Sequence, residues 1–446
     1  MFFLFIFKDK YDKIKMKINR KEVNMKKIIY ILMLFCLILS LSSCDSVDII
    51  YVESSDTLNV RKIENIKDDF ILGVDASSVI TLESAGVKYY NYEKEEQDVF
   101  LTLAQSGVNY IRVRVWNDPY DSNGNGYGGG NCDLNTAIEI GKRATKYKMK
   151  LLVDFHYSDF WADPGKQKAP KDWLNMNIND KANALYEFTY SSLKKLKLAG
   201  VDVGMVQIGN ETNGAMCGET SWVNITKLMN EGSKAVRKVY KNALVAVHFT
   251  NPEKTGLYAD YAKKLNEYGV DYDVFGSSYY PYWHGTLENL AKVLNYVSDT
   301  YNKKVMVLET SYAYTSVDSD FHTNTISSGS NVVKNYPLTV QGQADSLIDV
   351  IDCVVNKINN GIGVCYWEGT WIATGGKTWE QNSVLWNNYG TGWASKYAAE
   401  YDPVDAGKYY GGNAVDNQAL FDKNGYPLES LKVFRLVKTG NIIGNN

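Results

Sequence analysis

Eight apolar runs of strand length recur along the chain, separated by longer stretches in which apolar residues fall at every third or fourth position. The runs are FILGVDAS (70–77), NYIRVRVW (109–116), KLLVDFHYS (150–158), VGMVQIGNE (203–211), LVAVHFTN (244–251), DVFGSSYY (273–280), VMVLETSY (305–312) and GIGVCYWEG (361–369). Between them, TAIEIGKRATKY (136–147), KANALYEFTYSSLKKLKLAG (181–200) and DSLIDVIDCVVNKINNG (345–361) carry the helical period and end near glycine or a cationic turn. This alternation predicts parallel strands joined by crossover helices. Eight such units predict a closed (β/α)8 TIM barrel in a single catalytic domain, over 66–440, in preference to an open doubly wound sheet. The surplus length falls after strand ends, at 117–135, 159–175, 312–344 and 370–415, where a barrel of this kind builds its ligand cleft.

The segment MKKIIYILMLFCLILSLSSC (25–44) has a cationic start, an apolar run and small residues before Cys44. It reads as an export signal over 25–43 and not as a spanning helix. The ending LSSC resembles a bacterial lipobox, which implies acylation of Cys44 and attachment to the membrane only through that lipid; simple secretion is the alternative. Residues 1–24 read as a start assigned too early, and 44–65 as a polar linker.

Composition narrows the function classes. With 45% hydrophobic and 22% charged residues the chain can bury a large core, and a net charge of −3 offers no basic field for nucleic acid. The 33 tyrosines and 10 tryptophans supply flat amphipathic rings suited to packing or to sugar faces. No CxxC spacing suggests zinc. Cys353 and Cys365 sit in apolar patterns and are expected to be buried thiols. Cys132 and Cys217 fall in predicted loops, bonded or free. The stretch GNGYGG (124–129) matches a dinucleotide fingerprint only in letters, because seven residues separate Trp116 from Gly124 and the glycines are not in the turn itself.

The informative residues stand at strand ends. Arg114 closes the second strand, His156 the third, Asn210 and Glu211 the fourth, Tyr280 the sixth, Glu309 the seventh and Trp367 the eighth. In a barrel these ends share one rim, which brings two glutamates from strands four and seven to a single cleft. Paired carboxylates among aromatic walls suit glycoside hydrolysis, with one neutral acid to protonate the leaving oxygen and one ionised group to attack the anomeric carbon. Two buried carboxylates in unrelated ion pairs are the bland alternative. His156 beside Asp159 is read as substrate-facing, a core histidine being the alternative. Trp116, Trp161, Trp367, Trp371 and Trp393 are candidate sugar platforms, of which two or three are expected to line the cleft.

Asn-Glu on strand four with Glu on strand seven resembles the large clan of retaining (β/α)8 glycosidases. More specifically, GVDASSV, RVRVWNDP, DFHYSDFWADPGKQKAPKDW, VQIGNET, SYYPYWHGT and WASKYAAEYDPVDAGKYYGGNAVDNQALFD are similar to glycoside hydrolase family 53, the endo-β-1,4-galactanases. The similarity runs over about residues 66–437. It implies a retaining double displacement on β-1,4-galactan by a monomer, with Glu211 as acid/base and Glu309 as nucleophile. Asn210 would donate to the sugar 2-hydroxyl, and Arg114 with Tyr280 would hold Glu309 ionised. Rival readings are another retaining β-glycanase of the clan, a mannanase or cellulase, and a glycan-capturing surface lipoprotein without catalysis.

The loop after strand seven carries DSDFHTN, with Asp318, Asp320, His322 and Asn324 at alternate positions, so that their oxygens share one side of an extended loop. That suits a hard cation such as calcium, with His322 lending its carbonyl oxygen and not its ring. The family resemblance adds Asn413 and Asp416 as the second ligand set, tying this loop to a later one. The cation would be structural, since the chemistry needs no metal.

Overall fold

The computed structural model describes residues 47–443, together with 15–17, 25 and 27. Residues 1–48 form a unit of their own, in which 15–17 are helical; the rest of the export signal and Cys44 lie outside the described residues. Residues 49–446 form the second unit.

In that unit eight strands close a parallel barrel in chain order, β8 returning to β1. They are β1 (Ile71–Asp75), β2 (Tyr110–Val115), β3 (Lys150–Phe155), β4 (Val203–Ile208), β5 (Leu244–Phe249), β6 (Val274–Ser278), β7 (Lys304–Thr310) and β8 (Gly361–Tyr366). Each lies within an expected apolar run, to within a residue at the start of β7. Helices Val79–Ser84 (α1) and Val99–Gln105 (α2) join β1 to β2. One helix fills each later crossover: Leu134–Lys146 (α3), Ile178–Leu198 (α4), Trp222–Val239 (α5), Leu257–Glu267 (α6), Leu287–Tyr301 (α7) and Val340–Asn356 (α8), while Trp379–Tyr389 (α9) follows β8.

Capping explains where the helix boundaries depart from the sequence pattern. Asp133 accepts from the Thr136 amide and starts α3 ahead of the apolar period; Asn177 does the same for α4 and Thr339 for α8. The helix expected to run to Gly361 ends at Asn356, where Lys357 caps it by donating its amide to the Cys353 carbonyl, and Asn360 takes a left-handed φ of 52° in the turn that follows.

Inward-facing residues of the strands pack in layers. Ile71, Leu152, Met205, Ala246, Val274, Met306, Leu308 and Cys365 form the buried floor. Hydrophobic burial of this layer leaves the polar residues one step further along each strand as a ring above it. At β7 the alternation is broken by an irregularity: Ser277 pairs with Val307 but Ser278 pairs with Glu309, so Leu308 is an extra residue. Leu308 stays in the floor while the very next residue still reaches the cleft. Gly276 makes room for it, since a Cβ there would stand 2.1 Å from Leu308 Cδ1.

The linker expected over 44–65 is not free of the barrel. From Ile49 it belongs to the barrel unit, Leu58, Val60 and Ile63 are buried, and Val60 pairs antiparallel with Asn441. Cys132 and Cys217 are free buried thiols, as are Cys353 and Cys365. The GNGYGG loop packs against the segment after α9, Gly129 donating to the Gly392 carbonyl.

Candidate active site

A sharp turn at the end of β4 aims two side chains over the barrel mouth. After β4, Gly209 takes a φ of 90° and Glu211 one of 46°, a left-handed conformation that a glutamate adopts only under constraint. A Cβ at Gly209 would also meet the Thr212 methyl at 2.7 Å. Asn210 and Glu211 therefore leave an apolar strand side by side because the turn carries both into the cleft.

The cleft is a cavity of about 420 Å³, lined by Glu211, Glu309, Asn210, His156, Tyr280, Arg114 and a wall of tryptophans, Trp161, Trp283, Trp367, Trp371 and Trp393. Glu309 is buried and accepts from Arg112 Nη2 at 2.8 Å and from the Tyr280 hydroxyl at 2.9 Å. Glu211 accepts no charged donor; Ser278 Oγ lies 2.6 Å from its Oε1. Burial, then the nearby Glu309 carboxylate, push Glu211 up to about 8. Burial raises Glu309 as well, but Arg112 and the Tyr280 hydroxyl oppose it. Of two carboxyls sharing one cleft, the one beside the guanidinium ionises first. The site thus holds one neutral acid and one anion near neutrality.

Arg112, and not the expected Arg114, pairs with Glu309. Both point inward from β2, but Arg112 lies under the cleft, bonded to Asp75 at 2.9 Å, Asp154 at 2.8 Å and Asn210 Oδ1 at 3.0 Å besides Glu309. Arg114 is drawn away by a second buried carboxylate, Glu368, and by the Gly129 carbonyl; its guanidinium lies 4.2 Å from the centre of the Trp161 ring. It backs a cleft wall without touching Glu309's charge.

His156 lines the cavity with its ring fixed. Its Nδ1 accepts from Trp116 Nε1 at 3.1 Å and the Ala162 amide at 3.0 Å, so Nε2 carries the hydrogen and donates to Asp154. Asp159 does not join it. That carboxylate accepts from the backbone amides of Asp118 and Lys171 and braces the loops after β2 and β3. Trp116 is likewise no platform, being wholly buried under Phe160 and Trp161. Trp161, Trp367, Trp371 and Trp393 do line the cavity, and so does Trp283, which stands in the quoted SYYPYWHGT but was not singled out. Arg112, Gln207, His248 and Ser278 were also passed over, although each is a polar residue at an inward position of a strand.

In the loop after β7, Asp318, Asp320 and Asp416 bring carboxylate oxygens within 4.8 Å of one another. Asn324 donates to Asp416 at 2.7 Å, and its own Oδ1 is buried without a partner. Burial raises Asp320 to about 8 and Asp416 to about 6. His322 turns its ring against Trp386, outside the carboxylate cluster. Asn413 meets Asp320 with its backbone amide at 2.6 Å, while its side chain serves Trp371 O and the Val415 amide. An oxygen-rich, anionic set with an orphaned amide oxygen fits a hard divalent cation, although Asn413 offers it a donor where a ligand was expected.

A closed (β/α)8 barrel with an unequal glutamate pair in a tryptophan-walled cleft is the layout of a glycoside hydrolase. Comparison with known proteins agrees: the model of glycosyl hydrolase family 53 matches residues 71–434. The chain is 59% identical over 389 residues to the endo-beta-1,4-galactanase of Bacillus subtilis (strain 168), covering 87% of this chain and 90% of the relative. It is 34% identical to the arabinogalactan endo-beta-1,4-galactanase of Cellvibrio japonicus (strain Ueda107), over 72% of this chain and 85% of the relative. Among solved structures, the Ignisphaera aggregans GH53 catalytic domain superposes with a TM-score of 0.75 at 37% identity, covering 85% of this chain and 99% of that one. The chain belongs to glycosyl hydrolase family 53.

Proposed function

We propose that the protein is an endo-β-1,4-galactanase that works by double displacement. The observation that carries this reading is the unequal environment of the two glutamates, Arg112 and Tyr280 on Glu309 against no cation on Glu211, within a family 53 chain. An ionised Glu309 oxygen attacks the anomeric carbon while Glu211 gives its proton to the departing 4-oxygen. The result is a galactosyl ester of Glu309 and an ionised Glu211. Glu211 then takes a proton from water, whose oxygen attacks the same carbon from the opposite face and expels Glu309, so that the β configuration is restored. Asn210 offers its Nδ2 side of the cleft to a sugar hydroxyl, and the tryptophans stack on sugar faces.

The glutamate pair serves any equatorial or axial 4-linked β-glycan, so substrate choice rests on the likeness to galactanases. Reducing-sugar release measured side by side on galactan, mannan and a soluble cellulose derivative is expected to be largest on galactan. Preferred release from mannan or cellulose would overturn the assignment, and no release from any would leave a glycan-capturing protein.

We place a structural calcium at Asp318, Asp320, Asp416 and Asn324, with the carbonyl of His322, tying the loop after β7 to the 411–417 stretch. Bound there, the ion would neutralise carboxylates that burial otherwise penalises. Calcium should raise the unfolding midpoint with the logarithm of its concentration above the dissociation constant. Chelator should lower the midpoint while sparing activity at low temperature, and Asp320→Ala should abolish the calcium-dependent shift. A midpoint unchanged by chelator would refute the site. The segment 25–44 supports export and anchoring through Cys44, and the barrel is read as a monomer acting on polysaccharide.

A further inference from the structure

Behind Glu211 lies a chain of buried polar groups, two of which, Ser278 and His248, have no part in the double displacement. Ser278 Oγ sits 2.6 Å from Glu211 Oε1 and 2.9 Å from His248 Nε2; His248 Nδ1 sits 2.9 Å from Asn210 Oδ1. Ser278 and His248 are fully buried, and Asn210 nearly so. Buried groups of this kind pair with one another, so hydrogens can be assigned by elimination.

The assignment starts at Asn210. Its Nδ2 donates to the Ala162 carbonyl at 2.8 Å, which fixes the amide orientation and leaves Oδ1 facing the Arg112 guanidinium at 3.0 Å. Oδ1 has no hydrogen to give. A contact of 2.9 Å to His248 Nδ1 is therefore attractive only if Nδ1 carries the hydrogen. Gln207 is fixed too, because its Oε1 accepts from Arg112; its Nε2 lies 3.1 Å from the Gly209 carbonyl, 3.0 Å from Asn210 Oδ1 and 3.1 Å from His248 Nδ1, and with its two hydrogens on the two oxygens it gives none to Nδ1. Burial, then Arg112, push the His248 imidazole well below its usual range, so it is neutral and holds a single hydrogen. Nε2 is then a bare acceptor, and the one hydroxyl hydrogen of Ser278 goes to it. What Ser278 turns toward Glu211 is a lone pair, and at 2.6 Å a lone pair is met favourably only by a protonated carboxyl.

We propose that Asn210, His248 and Ser278 form a directed hydrogen-bond chain that presents an oxygen lone pair, not a hydroxyl proton, to Glu211 and so holds its carboxyl neutral between turnovers. Ser278 and His248 are thus positioning residues for the acid/base, a role that rests on the assignment of Glu211 under the proposed function. The chain also assists the second half-reaction. Once Glu211 has lost its proton, Ser278 can turn its hydrogen to the carboxylate only by abandoning His248 Nε2, so the ionised state costs a buried hydrogen bond and reprotonation by water is favoured.

Other charges act on the same groups. Glu211 also faces Glu309 and Asp163, with Tyr280 and Tyr258 close by; His248 faces Arg112, Asp154 and His156. None of these donates to Glu211 Oε1; the Thr250 hydroxyl also bonds the Glu211 carboxyl but is unchanged in a Ser278 variant, so that variant isolates the effect of Ser278.

Two readouts test the chain. The protein holds four histidines, so nitrogen-15 labelling of histidine gives a spectrum simple enough to assign His248 by its loss in His248→Gln. At pH 6 the labelled enzyme without substrate is expected to show His248 with Nδ1 protonated and Nε2 bare; the opposite tautomer would overturn the proposal. In the pH profile of kcat/KM on galactan, Ser278→Ala removes the lone pair that favours neutral Glu211. Its pKa falls, and with it the alkaline limb, by about half to one pH unit for one hydrogen bond. A limb that stays in place or moves up contradicts the chain, and a purely structural role would lower the rate without moving the limb. Failure of the native protein to cleave galactan would refute the proposed function instead, while the tautomer would still be readable.

Discussion

Glu309→Ala is expected to lose essentially all hydrolysis, a fall in kcat of at least about 10⁴-fold, while the protein remains folded. The loss is large because no other group in the cleft can form the bond to the anomeric carbon. Tyr280, the other candidate oxygen against that carbon, is pushed well above its usual range by burial and by Glu309, and is a poor nucleophile as a neutral phenol. The fold persists because Arg112 does not become an isolated buried charge: it keeps Asp75 and Asp154 at 2.9 and 2.8 Å. Steady-state rates on galactan with a thermal melt of the same sample check both halves. Retention of more than about one hundredth of native activity would place the nucleophile elsewhere.

Glu211→Ala is expected to give a different kind of defect, graded by the leaving group. On galactan, whose departing alkoxide needs a proton, the loss should be on the order of 10²–10⁴-fold. On an aryl β-galactoside with an acidic phenol the first step needs no proton, so the glycosyl ester of Glu309 should form at a near-native rate and then accumulate, because water lacks its general base. A burst of phenol followed by a slow steady state is the expected trace. Equal losses on both substrates would mean that Glu211 is not the acid. The asymmetry between the two variants follows from their surroundings: Glu309 has its cation and Glu211 has none.

The barrel was legible in the sequence because a buried parallel strand must be apolar for its whole length, and eight such runs with helical stretches between them leave few alternatives. The glutamate pair was legible for a related reason: a carboxylate at the end of an apolar strand has no business there unless the end faces a cleft. What could not be read was which of two equivalent positions is used. Arg112 and Arg114 share a face of β2, and only closure of the barrel, which sets Glu368 beside one and Glu309 beside the other, separates their partners. Trp116 and Trp161 look alike in a string, but one is sealed under the other. The segment 44–65 read as a linker because its apolar residues follow neither a strand nor a helix period; the partner of its Val60, Asn441, lies at the far end of the chain. His248 and Ser278 were inward polar residues in runs read for their apolar neighbours, and their meaning appears only once β4, β5 and β6 stand side by side.

The division of labour between Glu211 and Glu309 is tested most directly in the Glu211→Ala protein given azide, an anion that needs no general base. The account predicts that azide restores turnover of an aryl β-galactoside and that NMR of the product shows β-galactosyl azide, formed by attack on the Glu309 ester from the face the leaving group vacated. An α-galactosyl azide would mean a single direct displacement, and would contradict the assignment of Glu309 as nucleophile.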